Sequence, residues 1–470
     1  MPEPGPEQGS VQGPEQVDLL ISGCEVVCLD DADTIVRNGA IAVRGDRIAW
    51  IGGADDATSR FIPSSRIGGD GQIAMPGLID GHVHTGQQLL RGKIAEFARR
   101  GQVKIPVWKN YYIPFEGLLD PEDVYLSGLL CYADMISVGT TCFAEAGGPH
   151  PDEMGRAALE TGIRGFIALS TIDHGAGVPD SMMMTTDQAL SRNVDLVRRW
   201  NNQDEDRVQA WLSLRQIMVC TTELVRSMAD AARELGTRIH AHLCEGTYEI
   251  DYALEHFGKR PTEYLEEIGA LGQHLHCAHS VLLSPDETDL YVTHRLTASH
   301  CAFNNYHIGP HALLHMWRRG IDIGLGTDGA AAWGPLDIFQ VAHAARIGQQ
   351  LVAGTPIHYR DVMSGEELLR VATRGGARSL GMENRIGSLE VGKKADILLV
   401  ECRELDQTPH VDPMFAVANT AVGRDVRTVV IDGRVVMKDR TLSTIDEEAL
   451  RHDLDRRLPR IMERFEQARR

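Results

Sequence analysis

GLIDGHVH, residues 77–84, is the stretch on which the fold turns. It is a short apolar run closing on two histidines one residue apart, and in an extended chain residues i and i+2 project to the same side. His82 and His84 therefore leave the end of one strand together. Seven further runs of this kind follow: TTCFAEAG (140–147), IRGFIALS (163–170), VQAWLSLRQ (208–216), RIHAHLCE (238–245), LHCAHS (275–280), LTASHCA (296–302) and DIGLGTDG (322–329). Helical patterns such as PEDVYLSGLLCYADMISVG and TTELVRSMADAARELG separate them. Eight strand–helix alternations predict an α/β fold, a (β/α)8 TIM-like barrel over residues 74–384, in preference to a doubly wound sheet.

Metal-ligand residue types recur where the runs end. His242 ends the fifth with Glu245 three residues on, His279 ends the sixth, and Asp328 ends the eighth. Strand C-termini converge on one mouth of a barrel, and imidazoles with a carboxylate suit Zn²⁺, which accepts N and O donors and keeps a position for water. Each residue alone has a plainer reading. Among 19 histidines a single one in a strand is more often core or surface, and HxH by itself is weak. It is the combination, one element per strand end in this order, that points to a metal centre.

Outward from this middle, Val17–Ile73 and residues 385–442 alternate apolar and polar positions and turn at Gly-Asp and Asp-Gly pairs. They predict two halves of a small composite β-sandwich (17–73 and 385–442) that encloses the middle as an insert. Residues 1–16, MPEPGPEQGSVQGPEQ, read as a disordered tail with no signal-peptide pattern, and 443–470 as a charged amphipathic C-terminal helix. With 470 residues and 43% apolar content there is material for a large core and a satellite domain. The net charge of −19 argues against nucleic-acid or anionic-membrane partners, and no run approaches the roughly 20 apolar residues of a membrane span. Nine cysteines without a CxxC pair read as reduced thiols. A cytoplasmic enzyme acting on a small molecule is expected.

PGLIDGHVH, HAHLCE, HCAHS and GTDGAA resemble the amidohydrolase superfamily, in its aminohydrolase branch of S-adenosylhomocysteine, guanine and 8-oxoguanine deaminases and triazine hydrolases. The resemblance runs from Val17 to Leu442, and residues 376–400 resemble the stretch that closes such barrels and returns to the sandwich. It implies one divalent metal (Zn²⁺, with Fe²⁺ or Mn²⁺ as alternatives) held by His82, His84, His242 and Asp328. His279 and Asp328 would orient the activated water and take its proton. Glu245 would protonate a ring nitrogen, and ammonia would leave. His240 and His276 would be supporting or core residues, and Glu145 is given no role.

For the substrate, the resemblance implies that Gln87 reads a lactam edge and that Arg215 reads a carbonyl or, as in formiminoglutamate deiminases, a carboxylate. Trp108, Phe303 and Trp333 are expected to stack on a flat ring, the loop 85–120 and the Met-rich SMMMTT (181–186) to cover the mouth. A helix cap for Gln87, a salt bridge for Arg215 and packing for the aromatics are the alternatives. The chain departs from S-adenosylhomocysteine deaminases at Leu214-Arg215-Gln216, where they carry His-Ser-Pro, and at Val107, where they carry a ribose-reading Glu. SHCAFNNYHIG (299–309) likewise replaces the familiar His-Asn-Pro and Ser-Asn, and Trp333 stands in place of a polar pair. A heterocycle deaminase is the leading expectation. A deiminase of a formimino or guanidino acid, a triazine chloro- or alkylaminohydrolase, and an inactive barrel used as a scaffold are the rivals. Such barrels are often homo-oligomers, so that assembly is expected.

Overall fold

The computed structural model describes residues 14–201, 206–359, 361–409 and 412–469. Each of the eight runs contains a buried strand. We number them β1 (Leu78–Val83), β2 (Thr140–Glu145), β3 (Arg164–Ile167), β4 (Val208–Ala210 and Leu212–Leu214), β5 (Ile239–Leu243), β6 (Leu275–His279), β7 (Thr297–His300) and β8 (Ile323–Leu325). All pair in parallel, in sequence order. Burial on both faces explains why they read as apolar runs without a strict period of two.

The strands fall into two sheets that meet within β4. Trp211 donates its amide to Ile167 of β3, and Leu212, the next residue, donates to Arg238 ahead of β5, each at 3.0 Å. At the opposite edges, the amide of Asp328 donates to the carbonyl of His82 at 2.9 Å. The residue after β8 is thereby tied to the end of β1.

Both chain ends enter one nine-stranded sheet. Its order is Thr441–Leu442, Arg434–Lys438, Val426–Ile431, Ile397–Glu401, Gln72–Pro76, Glu15–Val27, Ile35–Arg44, Arg47–Gly53, with Phe61–Gly68 also pairing Glu15–Val27. Ile397 is paired with Pro76 two residues before β1, so the returning chain fixes where β1 begins. Residues 1–13 of the expected tail lie outside the described residues. Glu15 and Gln16, read as tail, instead belong to a strand, because they pair with Phe61 and Ile62.

The C-terminal helix runs Glu447–Ala468, capped by Asp446, and buries Ile461 and Phe465. Phe465 packs on Phe97 and Phe115, while Arg457 and Arg464 bond Asp123 in the first turn of the helix Pro121–Ser137. The helix thus packs beside the loop that leads out of β1. Among the described residues, no helix is long and apolar enough to cross a membrane.

One buried charge cluster joins the nine-stranded sheet to β3. Arg164, 1% exposed, donates to Asp396 at 2.9 and 3.1 Å and also to Asp432, and Lys394 lies 3.3 Å from Asp432. The neighbouring carboxylates raise the guanidinium pKa further despite the opposing effect of burial. Arg164→Met would leave buried Asp396 without its guanidinium partner and is expected to lower unfolding stability by about 3–5 kcal/mol. Urea unfolding followed by circular dichroism measures this, and a midpoint equal to wild type would remove the cluster from the account of stability.

Candidate active site

The ends of β1, β5, β6 and the turn after β8 bring five side chains to one point. Nε2 of His82 lies 3.2 Å from Oδ1 of Asp328, and Nε2 of His84 lies 3.1 Å from Nε2 of His242 and 3.7 Å from the same Asp328 oxygen. Two overlapping triads, His82/His242/His279 and His82/His84/Asp328, each hold their ligand-type atoms within 4.8 Å of one another. Hence His279 also belongs to the cluster in space, although the resemblance assigns it outside the ligand set.

The rings are held from behind. Nδ1 of His82 faces Nε2 of His240 at 2.8 Å, Nδ1 of His242 donates to the carbonyl of Arg215 at 2.8 Å, and Nδ1 of His279 meets Oδ1 of Asn305 at 3.0 Å. Such outer contacts orient the inward Nε2 atoms. Burial, then neighbouring charges, holds His82, His84 and His242 well below the usual imidazole range, and burial raises the Asp328 carboxyl. A cation at this point would take one lone pair from each inward nitrogen and one from the Asp328 oxygen. This donor set fits a single divalent ion of the Zn²⁺ kind.

Backbone geometry supports the arrangement. His279 and Asp328 adopt φ of 70° and 64°, in the left-handed region that such residues seldom occupy. Asp80, two residues before His82, supplies one restraint: its carboxylate accepts from the amides of His82 and Thr327, each at 3.1 Å, and from the Thr327 hydroxyl at 2.6 Å. Asp80 was not singled out in the sequence, although it stands inside the same IDGHVH stretch. His276, bonded to Thr297 and to the carbonyl of Gly81, and His240 are wholly buried supports, as expected.

Above the cluster opens a cavity of about 660 Å³. Its floor carries His84, His242, His279, Asp328, Glu245 and Arg215. Oε2 of Glu245 accepts from Gln216 at 2.7 Å, and its Oε1 lies 3.9 Å from Nε2 of His279. Tyr248 stands beside Glu245, and burial followed by that charge pushes its phenol well above the usual range. The main-chain amide of Glu245 is held by Glu249 at 2.8 Å, whose carboxyl burial raises to about 8.

Arg215 lines the cavity, but its Nη1 is committed to both oxygens of Glu116 at 2.9 and 3.1 Å. The salt-bridge alternative is therefore realised together with access to the cavity. Gln87 does not line it: wholly buried, it donates Nε2 to Glu116 at 2.6 Å and serves to hold that carboxylate. Trp108 and Trp333 do line the wall, whereas Phe303 stacks on the Trp333 ring at 5.6 Å without reaching the cavity surface. The loop 85–120, expected to cover the mouth, supplies much of the cavity lining, including Arg91, Ile94, Val103 and Trp108. The Met-rich loop does not cover the mouth, because Met182 packs with Ile113, Ile172 and Val219 and Met184 joins the main core.

Glu116, Gln216, Tyr248 and Asn305 were missed. Only Gln216 and Tyr248 carried a signal, through proximity to Arg215 and Glu245 in sequence. Glu145, given no role, is buried and accepts from the Thr85 amide at 2.9 Å, with a carboxyl raised by burial to about 7.

With this geometry in view, the model of the Amidohydrolase family matches residues 73–436, and the chain belongs to that family. It is 30% identical over 448 residues to the 5-methylthioadenosine/S-adenosylhomocysteine deaminase of Pelotomaculum thermopropionicum, spanning 95% of this chain and 99% of that one. Among solved structures, an adenosine deaminase from Xanthomonas campestris with bound zinc superposes with a TM-score of 0.86, at 26% identity over 97% of this chain and 100% of the other. Atrazine chlorohydrolase from Arthrobacter aurescens TC1, complexed with zinc, gives a TM-score of 0.80 at 23% identity over 94% and 100%, a likeness of fold.

Asp80→Ala would release Thr327 and the His82 amide at once. It is expected to weaken divalent-metal retention about 10–100-fold, the range typical of lost outer-shell partners. Metal analysis after dialysis against graded chelator measures this; unchanged retention would show that β1 is held without Asp80.

Proposed function

We propose that the chain is a metal-dependent hydrolytic deaminase, an aminohydrolase acting on the C–N bond of a cyclic amidine. Its substrate is an amino-substituted nitrogen heterocycle such as a purine, pterin or guanine-like base, and its product is the oxo ring with ammonia. The observation that carries this reading is the meeting of Glu245, His279 and Asp328 with His84 and His242 in the lining of one cavity, with His82 buried against them. The deaminase names of the relatives above support it.

In this reading His82, His84, His242 and Asp328 hold one divalent ion, Zn²⁺ as in the two zinc-bearing neighbours. When bound, the ion lowers the pKa of a water toward neutrality and polarises it. The remaining steps belong to the side chains. Asp328 and His279 take the proton that the attacking water gives up. Glu245, oriented by Gln216, enters protonated and gives its proton to the ring nitrogen beside the amino carbon. The proton held by Asp328 and His279 passes to the leaving amine, and the second hydroxyl proton of the tetrahedral carbon restores Glu245 as ammonia departs. Atoms balance as C(NH2)=N plus water going to C(=O)–NH plus ammonia.

Arg215 supports a neutral substrate over an acid. Glu116 already compensates its charge, so a formimino or guanidino acid would meet no free cation there, whereas a ring carbonyl needs only an N–H donor. Trp108 and Trp333 would flank the ring. For the architecture, we read the two parallel sheets as one closed (β/α)8 barrel over 74–384 and the nine-stranded sheet as the composite sandwich. Nine buried free thiols support a cytoplasmic setting, and a homo-oligomer is the assembly we propose.

Glu245→Gln is expected to lower ammonia release about 10²–10⁴-fold with metal content intact. The substrate panel is guanine, isoxanthopterin, 5-methylthioadenosine and formiminoglutamate, with ammonia as the readout. Turnover of formiminoglutamate alone would replace the heterocycle reading by a deiminase, and full activity in the Gln variant would end the proton role of Glu245.

A further inference from the structure

Asn305, on the helix Ala302–Ile308, is wholly buried and touches two histidines. Its Nδ2 donates to the main-chain carbonyl of His279 at 3.1 Å and faces Nδ1 of His300 at 2.9 Å. Its Oδ1 lies 3.0 Å from Nδ1 of His279. Among neutral ring tautomers only one assignment satisfies all three contacts. A carbonyl oxygen can only accept, so the amide nitrogen must face His279 O; the turned amide would bring two oxygens together with no proton between them. Oδ1 then faces the His279 ring, and because it too can only accept, Nδ1 of His279 carries the proton. Neutral His279 has a single ring proton, so its Nε2 is a bare lone pair. That atom is the one aimed at Glu245 and the His82/His242 cluster. His300 must accept at Nδ1, which leaves its own proton on Nε2.

The same amide also restrains the backbone of His279, whose φ of 70° needs an outside hold.

We propose that Asn305 is a positioning residue that fixes the tautomer of His279, so that His279 meets the substrate-side water as a proton acceptor and not as a donor. The catalytic consequence rests on the deaminase reading above; the tautomer does not. In the step, an O–H bond of water breaks as an N–H bond forms at Nε2, giving an imidazolium whose Nδ1–H remains on Asn305.

The test is the position of one ring proton. Full-length, metal-loaded protein carrying ¹⁵N-ring-labelled histidine is examined by long-range ¹⁵N–¹H correlation, with His279→Gln assigning the signal among 19 rings. Wild type is expected to show His279 protonated on Nδ1. Asn305→Leu is expected to move the population toward Nε2–H and, on whichever panel heterocycle is turned over, to lower kcat about 10–100-fold with KM and metal content held. Asn305→Asp keeps an acceptor at Nδ1 of His279 and, with its second oxygen protonated, still donates to the His279 carbonyl, so it should keep the tautomer; this covers the case of a Leu variant that does not fold. A wild-type His279 protonated on Nε2, an unchanged tautomer in Asn305→Leu, or loss of Nδ1–H in Asn305→Asp would each overturn the proposal. Absence of ammonia from the whole panel would count against the deaminase reading and leave the ring-proton measurement standing.

Discussion

Packing several imidazole nitrogens and a carboxylate oxygen about 3 Å apart in a buried pocket is the constraint around which this molecule is arranged. Without a cation such atoms meet only where one of each pair carries a proton, and burial disfavours charging the imidazoles further. The surroundings keep the cluster assembled in a form suited to a divalent ion. Asp80 ties β1 to the turn after β8, the carbonyl of Arg215 and the amide of Asn305 orient two rings, and His240 supports a third. Positive φ at His279 and Asp328 is the local strain of aiming side chains inward from strand ends, and it persists because hydrogen bonds over-determine those residues.

Charge is handled differently where Arg215 lines the cavity. The guanidinium of Arg215 and the carboxylate of Glu116, both almost wholly buried, form a pair that is neutral overall. Gln87 adds a further donor to the same carboxylate. A pair of this kind offers N–H direction without net charge. The same cavity also takes apolar lining from the loop after β1, with Ile94, Val103 and Trp108, and from the turn after β8, with Ala330, Ala331 and Trp333.

The nine-stranded sheet bears on the site indirectly. Pairing of Ile397 with Pro76 sets the start of β1, and the Arg164–Asp396 contact joins that sheet to β3. Two segments more than 300 residues apart in sequence thereby define where His82 and His84 stand. The C-terminal helix acts similarly on the loop after β1, by covering Phe97 and Phe115 with Phe465.

Residue order and type alone determined the eight inner strands, the pairing of chain ends and the convergence of His82, His84, His242, His279, Glu245 and Asp328. These follow from local periodicity and from the rule that parallel strand ends share one mouth. Only the tertiary structure decided which side chains face the cavity. Gln87 stands three residues after a cluster histidine yet turns away to Glu116, and Phe303 lies behind Trp333. Glu116 and Asn305 gain their importance from partners 99 and 26 residues away. Such contacts are set by packing and hydrogen-bond satisfaction across elements, which spacing along the chain does not encode.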